Sequence, residues 1–211
     1  MTPTKLLALA LLLAPAASGC VGVPFASPPA QLSVGTGARL EPESADAPAR
    51  VDVPLQFRVG VHPLAFTSEL AARRADFGFG YQLLNGGDGR VHGLYFEASG
   101  VMLAGPVGQG WGKLSARLHG QLLTRDSFGS FGEGGALQLT AELADRADGP
   151  FDSHDAEGGT VGYAFGEQAI GCYLEGGWYV LGGRQAWTAT TGLLVRLPAS
   201  AGLVWKWLWA I

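Results

Sequence analysis

The sequence predicts an all-β protein, an antiparallel up-and-down β-barrel of about eight strands. The main observation is a two-residue alternation of apolar and polar side chains that recurs from residue 51 to residue 211. A two-residue period places the two sets of side chains on opposite faces of a β-strand, so one face must meet a core or lipid. The second observation is that 33 glycines are present, many of them in clusters that separate the alternating segments.

Nine alternating segments are strand candidates: 51–61, 75–84, 91–104, 111–124, 135–146, 160–166, 169–181, 185–197 and 201–210. Turn residues that tolerate positive φ separate several of them, as in Asn85–Gly89, Gly129–Gly135 and Gly182–Gly183. Joining 160–181 into one strand gives eight, the preferred count, because an up-and-down barrel with both ends on one side needs an even number. Including a further segment at 32–40 and keeping the nine separate gives the alternative count of ten.

The N-terminus has the features of a secretory signal peptide, predicted over residues 1–19. Lys5 precedes the apolar run Leu6–Leu13, and small residues then lead to Cys20. The run is shorter than the ~20 apolar residues that a membrane-spanning helix needs. We therefore expect an exported protein.

The segment Ala17-Ser18-Gly19-Cys20 resembles the lipobox of bacterial lipoproteins. The resemblance implies that Cys20 is acylated and becomes the new N-terminus. The alternative is cleavage near residues 14–16 and secretion without lipid. Residues 20–49 are rich in proline, which disfavours sheet interiors, and are predicted to form a tether that precedes a barrel domain at 50–211.

The charge content favours a barrel in lipid over a barrel in water. Charged residues make up 15% of the chain, against ~25% in typical soluble domains, and only three residues are lysines. A soluble barrel of this size would cover its outer face with Lys and Glu. In an outer-membrane barrel the apolar face meets lipid and the polar face lines a packed interior. The formal net charge of −4 argues against nucleic acid as a partner, which requires a basic surface.

The polar face of the predicted strands carries charges of both signs. A charge buried alone costs several kcal/mol, so we expect these groups to neutralise one another inside the barrel, with Glu175 as a further carboxylate. The predicted interior network consists of Arg58, Glu97, Lys113, Arg117, His119, Glu142 and Arg196. The opposite face carries Phe79, Leu118, Leu139 and Val195, and the direction in which these four side chains point decides between lipid and a core.

The aromatic residues and the C-terminus are similar to those of known membrane barrels. Trp205, Trp207 and Trp209 share one face, and such rings favour the boundary between membrane and water. Apolar side chains alternate up to Ile211, which resembles the terminal strand of bacterial outer-membrane β-barrels. Residues 50–211 as a whole resemble small barrels of the OmpA/OmpX type, in architecture only. The resemblance implies an outer-membrane location and an interior filled by side chains rather than a pore.

No arrangement of catalytic or metal-binding residues is recognisable, so we predict no catalytic site, no cofactor and no enzymatic activity. The histidines lack the spacing of a zinc site; they are His62, His92, His119 and His154. Ser115 and Arg117 share a face with His119, and interior hydrogen bonding is the preferred interpretation of this triplet. A weak calcium candidate is the acidic group Asp148, Asp152, Asp155 and Glu157, whose spacing does not follow the EF-hand.

Three functions are compatible with these observations. The preferred one is a structural or interaction protein of the cell envelope: an outer-membrane barrel in contact with outer-membrane lipid, lipid-anchored, with its loops available to a protein or surface partner. Nothing indicates an oligomer. The second is a lipoprotein on the periplasmic face of the outer membrane, with a soluble lipocalin-like barrel that holds a hydrophobic ligand. The third is an outer-membrane lipid-modifying enzyme.

Overall fold

The computed structural model describes residues 20–43, 48–63, 75–87, 89–125, 129–155 and 158–207. Within these ranges no helix is long and apolar enough to cross a membrane. The predicted signal peptide at 1–19 lies outside the described residues. The described chain forms thirteen strands: β1 (Cys20–Ser27), β2 (Ala30–Glu41), β3 (Arg50–Asp52), β4 (Leu55–Val61), β5 (Ala75–Gly86), β6 (Gly89–Val107), β7 (Gly110–Arg125), β8 (Phe131–Arg146), β9 (Gly149–Asp155), β10 (Gly158–Phe165), β11 (Glu167–Leu181), β12 (Arg184–Leu197) and β13 (Ala199–Trp207).

Eight of these strands close into a ring in the order β12-β11-β8-β7-β6-β5-β4-β2, and β2 pairs with β12 to complete it. Every neighbouring pair in the ring is antiparallel. The short strand β3 pairs with β2 beside β4. The predicted all-β, antiparallel barrel of eight strands is confirmed. This unit contains Pro28–Ala147 and Gly166–Pro198.

The register of the ring fixes the tilt of its strands. Paired residues followed once around the ring from Trp187 lead back to the same strand at Leu197, ten residues further along. With a rise of ~3.3 Å per residue and a spacing of ~4.8 Å between strands, this displacement requires a tilt of about 40°. A stretch of ten residues then advances about 25 Å along the barrel axis.

The two ends of the barrel differ in their connections. The turn end contains the connections β5–β6, β7–β8 and β11–β12 and the longer link from Glu41 to Leu55. At the β11–β12 turn both central residues, Gly182 and Gly183, have positive φ, as a type I′ two-residue hairpin requires. The terminal end contains the start of β2, the end of β12 and the links β4–β5, β6–β7 and β8–β11.

A second unit consists of the described residues 20–27, 148–165 and 199–207. Its four strands form an antiparallel sheet in the order β1-β13-β10-β9. The rings of Phe25 and Phe151 lie 6.3 Å apart on one face of this sheet.

The structure differs from the predicted tether at 20–49. Ala30–Glu41 forms β2, the strand that closes the barrel, and Cys20–Ser27 forms β1. The prolines that suggested a tether lie mostly outside these strands: Pro28 and Pro29 fall between them and Pro42 follows β2. The stretch between them contains no proline and alternates in the same way as the other strands.

The strands of the structure also differ from the strands predicted from the sequence. Residues 160–181 form two strands in different sheets, β10 and β11, which are separated at Gly166. The predicted last barrel strand, 201–210, is described up to Trp207 as part of β13 in the second unit. The strand predicted at 51–61 is interrupted at Val53 and Pro54, because proline cannot donate a ladder hydrogen bond. β2 therefore takes the place that the sequence analysis gave to 201–210.

Candidate functional site in the barrel interior

The two faces of the barrel wall carry opposite chemistry. On the outer face Phe79, Leu118, Leu139 and Val195 are 47%, 63%, 42% and 37% exposed. On the inner face, the side chains in the middle of the barrel are mostly polar or charged and almost completely buried; among them are Arg58, Gln82, Glu97, Arg117, Gln138, Thr140 and Glu175. The apolar face therefore points outward. The apolar interior that a lipocalin-like ligand site needs is absent from the described middle of the barrel.

The outer face contains a band without charges. On β8 the outward positions between Glu133 and Asp145 are Gly135, Leu137, Leu139, Ala141 and Leu143. At the tilt derived above, the distance from Glu133 to Asp145 is about 30 Å along the barrel axis. Around the described wall, the outward positions at the same height are apolar residues, glycine or threonine, together with Tyr81 and Cys172 and, near the two margins, His92 and Gln168. Trp178 and Trp187 form a pair at the turn-end margin of the band.

The middle of the interior is built around an ion pair between Arg58 of β4 and Glu175 of β11. The guanidinium group contacts both carboxylate oxygens, with 2.8 Å between Nη2 and Oε1. The same carboxylate accepts hydrogen bonds from Gln56 Nε2 at 3.2 Å and Gln138 Nε2 at 3.0 Å. Arg58 Nε donates to Gln82 Oε1 at 3.0 Å. Both charges are thus paired and further satisfied by amides, as a buried ion pair requires.

Two tyrosine rings fill the interior beside this ion pair. Tyr95 lies under the Arg58 guanidinium, 5.6 Å from carbon to ring centroid, and stacks on His119 at 5.7 Å. Its ring occupies the space left by two inward glycines, Gly60 and Gly80. A Cβ at Gly80 would lie 2.9 Å from Tyr95 Cε1 and would also overlap the neighbouring backbone. Tyr173 lies over two other inward glycines in the same way, at positions 35 and 192. Glycine is required here by close approach.

Arg117 of β7 organises the interior nearer to the terminal end. Its Nη1 donates to Gln31 Oε1 at 2.6 Å and to Glu97 Oε1 at 3.2 Å, and its Nη2 donates to Glu142. These partners come from β2, β6 and β8. Arg117 therefore joins strands on different sides of the ring. It is 0% exposed, so the two carboxylates supply the negative charge that its burial demands.

Arg196 of β12 extends this network. Its Nε lies 3.3 Å from Glu142 Oε2, and its Nη1 lies 3.6 Å from Glu167 Oε1 and 3.7 Å from Asp76 Oδ2. Lys113 pairs with Glu167. A cavity of about 20 Å³ lies among these side chains and is also lined by Ala75, Ser99, Val101 and Ser115. Its volume and polar lining suit a single water molecule.

The histidines of the interior bridge carboxylates. His62 has Nδ1 3.2 Å from Asp76 Oδ2 and Nε2 3.6 Å from Glu97 Oε1. His119 lies between Glu97 and Glu175, at 3.6 Å from each. Each imidazole ring therefore lies between two carboxylate side chains inside the barrel.

The turn end of the interior is mostly apolar. Its buried cluster consists of Leu84, Val91, Leu123, Tyr179, Leu181 and Ala186. Arg39 lies beside this cluster, forms a two-pronged contact with Asp52 at 2.8 and 2.5 Å, and donates to the Tyr179 hydroxyl at 3.3 Å. Glu41 lies 3.7 Å from both Arg39 and Arg184. Close-packed apolar side chains thus fill this end of the barrel.

All seven side chains of the predicted interior network lie on the inner face, and the structure connects them through shared carboxylates. Arg39 and Asp52 are not among the predicted residues, because they lie in or beside the segment predicted to be a tether. Asp76 and Glu167, at the starts of β5 and β11 at the terminal end, are also not among them. The available signal was the alternation of Gln31, Ser33, Arg39 and Glu41 with apolar residues along β2.

The calcium candidate is not assembled in the described part of the chain. Asp152 is an exposed residue of β9 opposite Val161, and Asp148 precedes that strand. The side chain of Asp155 and the whole of Glu157 lie outside the described residues. Among the side chains that are described, no group of three His, Cys, Asp or Glu is placed to hold a metal ion.

Comparisons with known proteins add little. No family model matches the chain, and no curated protein matches it. Among solved structures, a triple mutant of the Rhodopseudomonas blastica porin is similar at 9% identity and a TM-score of 0.13, over 82% of this chain and 100% of that one. A likeness this weak carries no argument about this chain.

Proposed function

We propose that this chain is an integral β-barrel protein of a bacterial outer membrane, without enzymatic activity, whose interior is closed and whose role in the envelope is structural or is exerted through its connecting segments. The observation that carries the proposal is the uncharged outer band between Glu133 and Asp145, together with the buried ion pairs on the opposite face. The hydrocarbon core of a bilayer is ~30 Å thick, and barrel proteins present an apolar band of ~25 Å to it.

A membrane position removes a cost that water would impose. Exposed large apolar side chains surround the barrel, including Leu94, Phe96, Leu143, Ile170, Leu174 and Leu193. Soluble monomers rarely expose contiguous apolar patches larger than a few hundred Å². Lipid covers such a surface without loss of hydrogen bonds, because a closed barrel leaves no strand edge unpaired.

The filled interior supports a protein that is not a pore. The Arg58–Glu175 pair and the Arg117 network cross the middle of the barrel, and the apolar cluster around Leu123 fills the turn end. Barrels of eight strands enclose just enough space for their own side chains. We therefore expect no ion conductance when the purified protein is added to a planar lipid bilayer.

The interior also supports a non-enzymatic role. His119 is stacked on Tyr95 and lies between two glutamates, and Ser115 on the same strand is buried. A hydrolytic site needs a nucleophile and base that face a space for substrate. The polar interior likewise gives no support to the lipocalin-like alternative.

Fractionation of cells that export the full chain tests the membrane position. We expect the protein in the outer-membrane fraction, resistant to extraction by urea and released by detergent. Its mobility on a gel should change when the sample is heated, as expected of a barrel that stays folded until boiled. Recovery as a folded, detergent-free protein in the periplasmic extract would rule the proposal out.

Lipid anchoring is a separable part of the proposal. It is supported by the lipobox-like sequence that ends at Cys20. Growth with radiolabelled palmitate should label the full chain and the Cys172→Ser variant but not the Cys20→Ser variant. Cys172 is a suitable control because it is exposed on the outer face and forms no disulfide in the described structure. Equal labelling of both variants would remove the anchor and leave the barrel unaffected.

A further inference from the structure

The outer face of the barrel has a group of polar side chains at one place on the turn-end margin of its uncharged band. The Tyr81 hydroxyl on β5 forms a hydrogen bond with Nδ1 of His92 on β6, and the two ring centroids lie 6.0 Å apart. Two residues before His92, Arg90 is paired across the strands with Asn85, and both side chains are exposed. These four residues are called the β5–β6 polar cluster below.

Arg90 differs from the other basic residues of the barrel. On the described ring strands, the other arginines and lysines occupy inward positions of the alternation: Arg39, Arg58, Lys113, Arg117, Arg125, Arg146, Arg184 and Arg196. Glu133, an acidic outward residue at this level, lies on β8, two strands and about 10 Å away. The permanent positive charge on the outer face of the described ring strands is therefore confined to Arg90.

The depth of the cluster places it at the boundary between hydrocarbon and lipid headgroups. At the tilt derived above, His92 lies within about 2 Å of the level of Glu133, and Arg90 lies about 5 Å further toward the turn end. The backbone of Tyr81 lies about 8 Å further into the band than that of His92. The Tyr81 ring therefore extends toward the margin, where its hydroxyl meets the imidazole.

The chemistry of the cluster matches that of a lipid phosphate group. A guanidinium group offers N–H donors in a fixed fork that fits phosphate oxygens. A neutral imidazole that accepts a hydrogen bond at Nδ1 has its own N–H donor at Nε2, and an amide side chain adds two more donors. On the band side, the neighbouring outward residues are Leu83, Leu94 and Leu122, which offer an apolar surface to acyl chains.

From these observations we propose that the β5–β6 polar cluster binds the phosphate group of an anionic membrane lipid. Arg90 and His92 contact the phosphate oxygens, and Asn85 adds a donor. Tyr81 is a positioning residue that holds the imidazole at the margin. The proposal rests on the membrane position proposed above and adds one specific lipid site to it.

Lipid retention by the purified protein tests this site. The full chain is exported, extracted from membranes in a phosphate-free detergent and studied by native mass spectrometry. The probes are dioleoylphosphatidylglycerol and dioleoylglycerol, which have the same acyl chains and differ in the phosphate-containing headgroup. Arg90→Gln and His92→Phe remove the two main contacts, and Tyr81→Phe removes only the hydroxyl. Arg50→Gln is the matched control, because Arg50 is an exposed arginine that lies on β3.

We expect the apparent Kd of the parent protein to be about fivefold lower for dioleoylphosphatidylglycerol than for dioleoylglycerol. The Kd for the phospholipid should rise about fivefold in Arg90→Gln and in His92→Phe, and about twofold in Tyr81→Phe, because charge-assisted hydrogen bonds are the stronger ones. Arg50→Gln should leave the Kd unchanged. Heat-dependent mobility on a gel shows that each variant is folded. If His92→Phe loses it, Asn85→Ala takes its place.

Equal affinity for the two lipids, or equal affinity of the parent protein and the Arg90 and His92 variants, would overturn the phosphate site and leave the membrane position intact. An equal loss in Arg50→Gln would do the same, because it would reduce the effect to general surface charge. Displacement of the lipid by excess inorganic phosphate would assign the cluster to free phosphate and contradict a lipid site. A protein recovered without detergent in the periplasmic extract would defeat the membrane position itself, and the lipid site with it.

Discussion

The inner and outer faces of the barrel wall are built from the same strands but are stabilised in different ways. On β7, inward Arg117 and His119 alternate with outward Leu118, a difference of one residue in sequence. The inner face is held by specific partners from other strands, since each buried charge needs a counter-charge. The outer face is mostly apolar, and in the proposed membrane position it needs only an apolar environment. Changes on the inner face should therefore depend on which partner remains, and changes on the outer face on depth in the membrane.

The largest effect is expected when one partner of the central ion pair is removed. Arg58→Met leaves the Glu175 carboxylate buried without its guanidinium partner, with two amide donors and His119 at 3.6 Å remaining beside it. We expect the free energy of unfolding to fall by about 3–5 kcal/mol, the usual cost of an uncompensated buried charge. Urea unfolding in detergent micelles, followed by tryptophan fluorescence, measures this change.

A second substitution separates charge from packing. Glu175→Gln in the Arg58→Met background removes the unpaired charge and keeps an acceptor for Gln56 and Gln138. The double variant should regain most of the lost stability. If the double variant is as unstable as Arg58→Met, packing of the arginine stem rather than charge holds the middle of the barrel.

The next effect tests the outer face. Leu118→Arg places a charge near the middle of the uncharged band, where Arg in a membrane barrel costs about 2–4 kcal/mol. Phe131→Arg makes a similar change beyond Glu133, near the band margin, where the cost is about 0–1 kcal/mol. Unfolding in lipid vesicles measures both. Equal, small effects at the two positions would show that the outer face meets water.

A smaller effect compares two glycines on opposite faces. Gly80 faces inward, and a Cβ there would meet the Tyr95 ring and the neighbouring backbone. Gly80→Ala should lower the free energy of unfolding by about 1–3 kcal/mol through overpacking. Gly120 faces outward with nothing within 4 Å of an added Cβ. Gly120→Ala should be neutral or stabilise by about 0.4–1 kcal/mol. Equal changes in the free energy of unfolding at both sites would mean that the interior around Tyr95 can rearrange to accept an added methyl group.

The sequence was sufficient to predict the two faces, because a two-residue period is a property of each strand alone. Arg58, Glu142 and Arg196 all lie on the face that the alternation indicates. The strand that closes the ring was assigned to a tether, because prolines flank β2 on both sides and outweighed its alternation. Proline between strands and proline within a strand look alike when only composition is considered.

The partners within the interior could not be predicted from the sequence. Arg58 and Glu175 are 117 residues apart and meet only because the ring closes between β2 and β12 with a ten-residue displacement. A different displacement would bring other side chains to Arg58 without changing the face of any side chain. The sequence is therefore enough to predict which charges lie in the interior. Their division into a central pair, an Arg117 network and an Arg39 cluster depends on the register between strands, which the sequence does not reveal.

The smallest effect concerns an ion pair at the edge of the interior. Arg184 lies 3.7 Å from Glu41, and its side chain is 39% exposed. Arg184→Met should change the free energy of unfolding by less than about 1 kcal/mol, because water already solvates the charge and Arg39 remains beside Glu41. Added salt should screen what remains of the effect, whereas the cost of Arg58→Met should persist in high salt. Urea titrations of both variants at low and high ionic strength make the comparison. A loss at Arg184 as large as that at Arg58 would mean that burial does not set the strength of these pairs, and the contrast between inner face and solvent-exposed rim would fail.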